Sequence, residues 1–247
     1  MTTTLNFFDT PQFKKFGVLS ALALTALFYQ NFSFSNAWRL DLQTLNEKSR
    51  AAHAKELLGK TYQNSPARLV EGSPMLGMAI LNEVYRSLPA AHKEAAIDLS
   101  STLLQQAEKY HFDPVFVMAV IRTESSFNPM ARGQHGEIGL MQLKPKTAKW
   151  IAEKFKLPWY GAKTLEDPSM NVRIGVAYMN YLRGRFNKQA EKYISAYNMG
   201  YTKATQMYAS ETKPQIYSQK VLKNYRDAYR RLAAASVAVP LIIASNH

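Results

Sequence analysis

The sequence predicts a mainly α-helical fold, a helical domain with a substrate cleft, preceded by an N-terminal segment that spans a membrane or is removed as a signal. Three observations predict it. Asp113-Pro114 and Asp167-Pro168, with Pro145 between them, mark helix starts, because an N-cap carboxylate bonds free backbone N–H groups while proline fits the first turn. Apolar residues then recur at helical spacing after each start. One interruption, from Phe127 to Gly139, holds Gly133, Gly136 and Gly139 with Asn128-Pro129, a composition that keeps irregular backbone close to a ligand.

At the N-terminus, Lys14 and Lys15 precede 23 residues, Phe16 to Trp38, without a charge, and Arg39 closes the run. As a helix these would reach ~34 Å against a hydrocarbon core of ~30 Å, long enough to span with some tilt. Ser35-Asn36-Ala37 resembles a small-residue cleavage site, so residues 1–38 read as a signal anchor or a signal peptide. The uninterrupted length favours the anchor in an inner membrane, and both readings export the rest. Residues 39–93 are polar and helical in character, broken at Asn64-Ser65-Pro66 and Gly72-Ser73-Pro74, and read as a helical stalk or a collar with no chemistry of their own.

Residues 94–235 form the main domain. Ala95 to Tyr110 is amphipathic, with Ile97, Leu103, Leu104 and Ala107 along one side, and a two-residue turn leads into the Asp113 helix. Val115 to Ile121 is apolar on every side, which a helix tolerates only when buried all round. Glu124 follows on the face of Ile121 and Val120, so a carboxylate is carried out of an apolar core. Desolvation disfavours its charged form and raises its pKa, as a general acid working near neutral pH requires. Arg122, two residues away, points elsewhere. Later helices start at Pro145 and at Asp167-Pro168, the latter with Val172, Val176, Met179 and Leu182 as core. The helix from Ala190 to Asn198 ends at Gly200, a C-cap, and brings Tyr197 and Asn198 to its end. The last helix, about Pro214 to Ala235, carries Ile216, Leu222, Tyr225, Tyr229 and Leu232 on or near one face. Residues 236–247 are an apolar tail too short to span a bilayer, packed on the domain or lying against a membrane.

Composition excludes several classes. With 47% hydrophobic residues the chain is not mainly disordered, and zero cysteines remove disulfides, thiolate zinc sites and a cysteine nucleophile. The five histidines show no ligand spacing, so neither a metal nor another cofactor is expected. The net charge is +13, and residues 183–231 alone carry 11 Lys or Arg against Glu191, Glu211 and Asp227. No nucleic-acid recognition motif accompanies this excess, and an anionic envelope polymer fits an exported basic domain better than nucleic acid does.

Glu124-Ser125-Ser126-Phe127-Asn128-Pro129, Gly139-Leu140-Met141-Gln142 and Ala196-Tyr197-Asn198 resemble, in order and spacing, the motifs of the soluble lytic transglycosylase catalytic domain, glycoside hydrolase family 23. The resemblance covers about residues 95 to 232, and Tyr217 is similar to a fourth family position in the last helix. It implies a lysozyme-like fold with a cleft between helical lobes, and a periplasmic enzyme acting on peptidoglycan strands without a cofactor. It implies further that Glu124 is the catalytic acid and base, that Ser125, Tyr197 and Tyr217 support it, and that Met141, Gln142, Tyr197 and Asn198 line sugar subsites. Three residues depart from the pattern: Glu137, often alanine in relatives, and Met199 and Tyr201 after the Ala-Tyr-Asn motif. Glu137 is therefore a candidate second carboxylate near Glu124. Two other functions stay open on these residues: a hydrolytic muramidase of goose-lysozyme type, which Glu137 could support, and a membrane-tethered glycan-binding scaffold, hinted at by residues 39–93. A partner in an envelope assembly is not named by the sequence.

Overall fold

The computed structural model describes residues 45–244, with side chains to residue 234; the anchor or signal segment and its cleavage pattern lie outside the described residues. The described residues form ten α-helices in chain order: α1 Glu47–Leu58, α2 Pro66–Leu69, α3 Leu76–Ser87, α4 Ala96–Lys109, α5 Pro114–Ser125, α6 Pro145–Phe155, α7 Pro168–Arg185, α8 Ala190–Met199, α9 Tyr201–Ala209 and α10 Gln215–Ala244. Short 3₁₀ turns at Gly59–Asn64, Ala90–Ala95 and Ala162–Glu166 join some of them. Among the described residues there is no strand, only isolated bridges pairing Arg132 with Ile138 and Ile138 with Leu143. None of the described helices is long and apolar enough to cross a membrane.

Helix α5 is the axis. Asp113 caps it, its Oδ1 accepting from Val115 N at 2.8 Å, and Pro114 opens the first turn. From Pro114 to Ile121 every residue is buried, as an all-round apolar helix requires. Burying each Val, Phe, Met or Ile side chain is worth about 1.5–3 kcal/mol against exposure, so this segment belongs only at the centre. α10 packs along one side of α5 and α4 along another. Phe112 and Phe116 turn their rings toward His53 of α1, with centroids 4.9 and 5.0 Å apart, and Phe116 meets Tyr193 of α8.

Residues 45–93 pack into this core through α1, α2 and α3. Arg50 is buried on α1, its Nη1 donating to Tyr229 Oη at 2.7 Å and lying 3.8 Å from Asp113 Oδ2. That oxygen also accepts from the hydroxyls of Tyr225 at 2.6 Å and Tyr229 at 2.7 Å. The N–H of Asp113 donates to His53 Nδ1 at 3.0 Å, which leaves the ring proton on Nε2, facing Tyr193 Oη at 3.0 Å. Burial, with Arg183 nearby, holds His53 well below its ordinary pKa and so neutral. Arg183 of α7 clamps Glu56 of α1 and reaches the carbonyls of Tyr110 and His111. One polar cluster thus joins α1, α5, α7, α8 and α10, and each of its charges has a partner, without which burial would be costly.

Several expected faces shift. Ile97 is 38% exposed, and the buried side of α4 carries Ala96, Leu99, Leu103 and Ala107 instead, because α4 presents that stripe to α5 and α7. Ile216 is 88% exposed, and α10 turns Val221, Tyr225, Ala228, Tyr229 and Leu232 inward. α10 also runs on to Ala244, beyond the predicted end near Ala235, as the alanine-rich stretch after Leu232 favours. Removing the α5 cap tests the buried cluster: Asp113→Ala leaves Arg50 without one of its two carboxylate partners and should lower the unfolding free energy by about 3–5 kcal/mol, read as a lower urea midpoint at unchanged slope.

Candidate active site

Glu124 stands in the last turn of α5, where the helix breaks. Ser126 and Phe127 take left-handed φ values of 53° and 66° in succession, and Phe127 is nevertheless buried. Positive φ is costly for a bulky residue and persists only where surrounding packing enforces it. Here the turn frees the end of α5 from core packing, and the Glu124 side chain opens on a cavity of about 260 Å³.

Burial raises the Glu124 pKa from 4.5 to about 7. Tyr217 of α10, whose hydroxyl donates to Glu124 Oε1, and Lys220 oppose the rise, while the charge of Glu137 adds to it. Desolvation therefore wins over one hydrogen bond and one cation. Arg122 supplies no neutralising charge: it bonds Ser87, lies 3.9 Å from Glu83 and covers the Phe127 ring at 4.8 Å. A carboxyl with so displaced a pKa in a cleft is a candidate acid–base group on physical grounds.

The end of α8 and the loop before α6 wall the cavity further. The end of α8 contributes Tyr197, Asn198 and Met199, with Gly200 beyond. Gly200 caps that helix at φ 87°, its N–H donating to Ala196 O at 2.8 Å. Tyr197 is 8% exposed and donates to Met141 O at 2.9 Å, so its ring walls the cavity while its hydroxyl holds the opposite loop. Gln142 lines the cavity with φ 45°, its amide bound to the carbonyls of Gly139 at 2.8 Å and Ala131 at 3.2 Å.

Glu137 faces the same cavity. Its Oε2 accepts from His135 N at 2.9 Å and its Oε1 lies 3.4 Å from Lys144 Nζ. Burial works to raise its pKa, but these contacts outweigh it and hold Glu137 below the usual range, hence ionised. A Cβ on Gly133 would collide with the Glu137 carboxylate, so that glycine makes room for the charge.

Two expected roles change. Ser125 does not reach Glu124: its hydroxyl donates to Leu140 O at 2.8 Å and Ile121 O at 3.2 Å, tying the Gly139-Leu140 turn to the end of α5. The Met141 side chain is buried against Gly175, where a Cβ would strike its sulfur, so only its backbone serves the site. Residues beyond the motifs also matter. Asn171, fully buried on α7, accepts from Met141 N at 2.8 Å and donates to the carbonyls of Ile138 and Leu165, each at 2.9 Å. It fixes the loop that Gly139 can enter only at φ 79° and without a side chain, since a Cβ there would meet Asn171. Tyr178, its pKa pushed up to about 12 by burial, packs 5.3 Å from Tyr197 and lines the cavity with Lys144 and Thr147. An asparagine beside Val172 and on the face of Ile174 in the first turns of α7 was the available signal for Asn171; Tyr178 had none.

A single raised carboxyl, supported by a tyrosine hydroxyl and facing an asparagine-bearing helix end across a cleft in an all-helical domain, defines the class of protein. Residues 101–219 match the family model described as the transglycosylase SLT domain, so this part of the chain is a transglycosylase SLT domain. The chain is 33% identical over 135 residues to the membrane-bound lytic murein transglycosylase C of Haemophilus influenzae, covering 51% of this chain and 37% of that protein. It is 36% identical over 86 residues to the soluble lytic murein transglycosylase of Escherichia coli, covering 34% of this chain and 13% of that one. An inactive mutant of the lytic transglycosylase Slt from Pseudomonas aeruginosa superposes with a TM-score of 0.52 at 21% identity, over 79% of this chain and 37% of the other, and shares the fold. The chain therefore spans well under half the length of the curated relatives it matches.

The electrostatics give opposed expectations. Tyr217→Phe removes a hydrogen bond that favours the charged carboxylate and should move the Glu124 pKa above about 7, whereas Glu137→Gln removes a like charge and should move it below. Carboxyl ¹³C NMR titration of the two variants reads both shifts, and shifts of the same sign would contradict the assignment of causes.

Proposed function

We propose that this chain is a peptidoglycan lytic transglycosylase that cleaves the β-1,4 bond between N-acetylmuramic acid and N-acetylglucosamine and leaves a 1,6-anhydro end. The observation that carries the proposal is the Glu124 carboxyl, which burial keeps about half protonated near neutral pH and Tyr217 fixes in the cleft of a transglycosylase SLT domain. Glycosidases normally employ two carboxyl groups, one as acid and one as nucleophile or base. Here Glu124 gives its proton to the bridging oxygen, which leaves with the bonding electrons as an alcohol. The oxocarbenium-like centre at the muramic anomeric carbon is met by the oxygen of the neighbouring acetamido group. Glu124, now a carboxylate, takes the proton of the muramic 6-hydroxyl, whose oxygen closes on the anomeric carbon and releases the acetamido oxygen. A hydroxyl of the same sugar outcompetes water because a well-oriented intramolecular group acts at very high effective concentration. Tyr217 orients the carboxyl, and Gln142, Tyr197 and Asn198 bound the sugar site.

Glu137 favours one second reading, hydrolysis, because an ionised carboxylate facing the same cavity could activate a water. Its contacts with Lys144 and with His135 N–H argue for a structural charge instead. Mass spectrometry of products released from purified sacculi separates the two: anhydro-muropeptides support transglycosylation, and reducing ends support hydrolysis.

The place of action proposed is the bacterial envelope, on the periplasmic face, with residues 16–38 as an inner-membrane anchor behind Lys14 and Lys15. Full-length protein should then stay in the membrane pellet through a salt wash, since apolar insertion is not screened by ions. A soluble species beginning at Trp38 would replace the anchor with a cleaved signal. For the chemistry, Glu124→Gln keeps shape and removes the titratable proton, and should cost at least ~10²- to 10⁴-fold in the rate of anhydro-muropeptide release at unchanged thermal stability.

A further inference from the structure

A second cavity, of about 330 Å³, opens among the end of α7, α8 and α9. Asn187 and Lys188, at φ 49° and 61°, turn the chain sharply from α7 into α8 and leave Arg185 and Phe186 beside α9. Arg185 lies 4.5 Å above the Tyr201 ring and donates to Tyr201 Oη at 2.6 Å, and Phe186 packs 5.3 Å from that ring. Lys192 of α8 lies 5.4 Å from the Tyr208 ring, whose hydroxyl is fixed on Glu191 O at 3.2 Å and Ser195 Oγ at 3.3 Å. The cavity is thus walled by two aromatic planes, each carrying a cation, and none of the residues lining it is acidic. Among the described residues neither Arg185 nor Lys192 pairs with a carboxylate, whereas Arg183, two residues before Arg185, is paired with Glu56.

The chemistry that fits is a carboxylate beside a flat group. A guanidinium has five N–H donors, and Tyr201 accepts from one of them, so donors remain for an anion. The two tyrosine rings add flat, rigid walls beside the cations. The position of the cavity matters as much. Gly200 lines the cleft of Glu124 and Tyr201 lines the second cavity, and the two Cα atoms are ~3.8 Å apart across one peptide bond. The α8–α9 junction is therefore the partition between the two sites.

We propose that this second cavity is an anion-binding subsite, which holds a carboxylate-bearing segment of the same polymer whose glycan strand occupies the Glu124 cleft. It rests on the peptidoglycan reading above and adds to it a hold on the peptide-bearing part of the polymer. Two contacts on one strand raise its effective concentration at the cleft. The subsite therefore acts on capture of the polymer and leaves the bond-breaking step unchanged.

The test uses the full chain carrying Glu124→Gln, so that the polymer is not consumed, in co-sedimentation with purified sacculi and with chitin, a β-1,4 glycan without carboxylates. Arg185→Ser/Lys192→Ser should weaken sacculus binding by ~10-fold or more, the loss expected when charge-assisted contacts are removed, and leave chitin binding unchanged. Lys48→Ser/Lys60→Ser, which removes two exposed charges on and after α1, should bind both polymers like the parent. With Glu124 intact, the Arg185/Lys192 variant should raise KM for sacculi at unchanged kcat. Sacculus binding unaffected by the Arg185/Lys192 changes, or reduced as much by the Lys48/Lys60 control, overturns the subsite. Pair-dependent binding without anhydro products would overturn the activity instead, and the two failures are told apart.

Discussion

Keeping one carboxyl group out of water is the constraint on which this structure depends. An ionisable group surrounded by apolar atoms holds its proton longer, and only a rigid, dry environment sustains that. The apolar surround of α5 supplies the dryness. α10 answers with a single hydroxyl and a single lysine, enough to orient Glu124 but too little to bring its pKa back to the ordinary range. More donors around this carboxyl would bind it more firmly and leave it without a proton to give.

The other end of the same helix shows the alternative treatment of a buried carboxylate. Asp113 is fully enclosed, and burial raises its pKa as well, but Arg50, Tyr225, Tyr229 and the Val115 N–H oppose it. Its oxygens are occupied, and it serves as an anchor. One helix of twelve residues thus has a saturated carboxylate at its start and an undersaturated one near its end. The difference between a structural and a reactive group lies in the number of donors, not in depth alone.

Much of this was legible from residues near one another in the chain. The caps at Asp113 and Asp167 and the stop at Gly200 form as expected, because each depends on backbone groups within four residues. The burial of Val115 to Ile121 followed from the absence of any polar face. What escaped depends on partners far along the chain. Ile97 and Ile216 fit an apolar stripe but sit at its margin, and which margin is covered is decided by the neighbouring helix. The family resemblance implies that Ser125 supports Glu124, yet its hydroxyl spans fifteen residues to Leu140. Asn171 reaches thirty residues back to Met141, and Arg50 meets Tyr229 across most of the chain. Glu137 was seen as a neighbour of Glu124, but the lysine that neutralises it lies beyond the loop and was not.

The position of α10 along the chain has a temporal consequence. Tyr217, Tyr225 and Tyr229 all lie in the last described helix, while Glu124 and Asp113 are made about a hundred residues earlier. A chain that emerges N-terminus first from a ribosome therefore presents Glu124 before the helix that orients it, and its buried aspartate before two of its donors. Until α10 docks, the start of α5 is unsatisfied and the end is open to water, where a carboxyl titrates normally and carries no proton at neutral pH. Glu124 thus reaches its buried, hydrogen-bonded setting only when the last of the described helices has closed over α5.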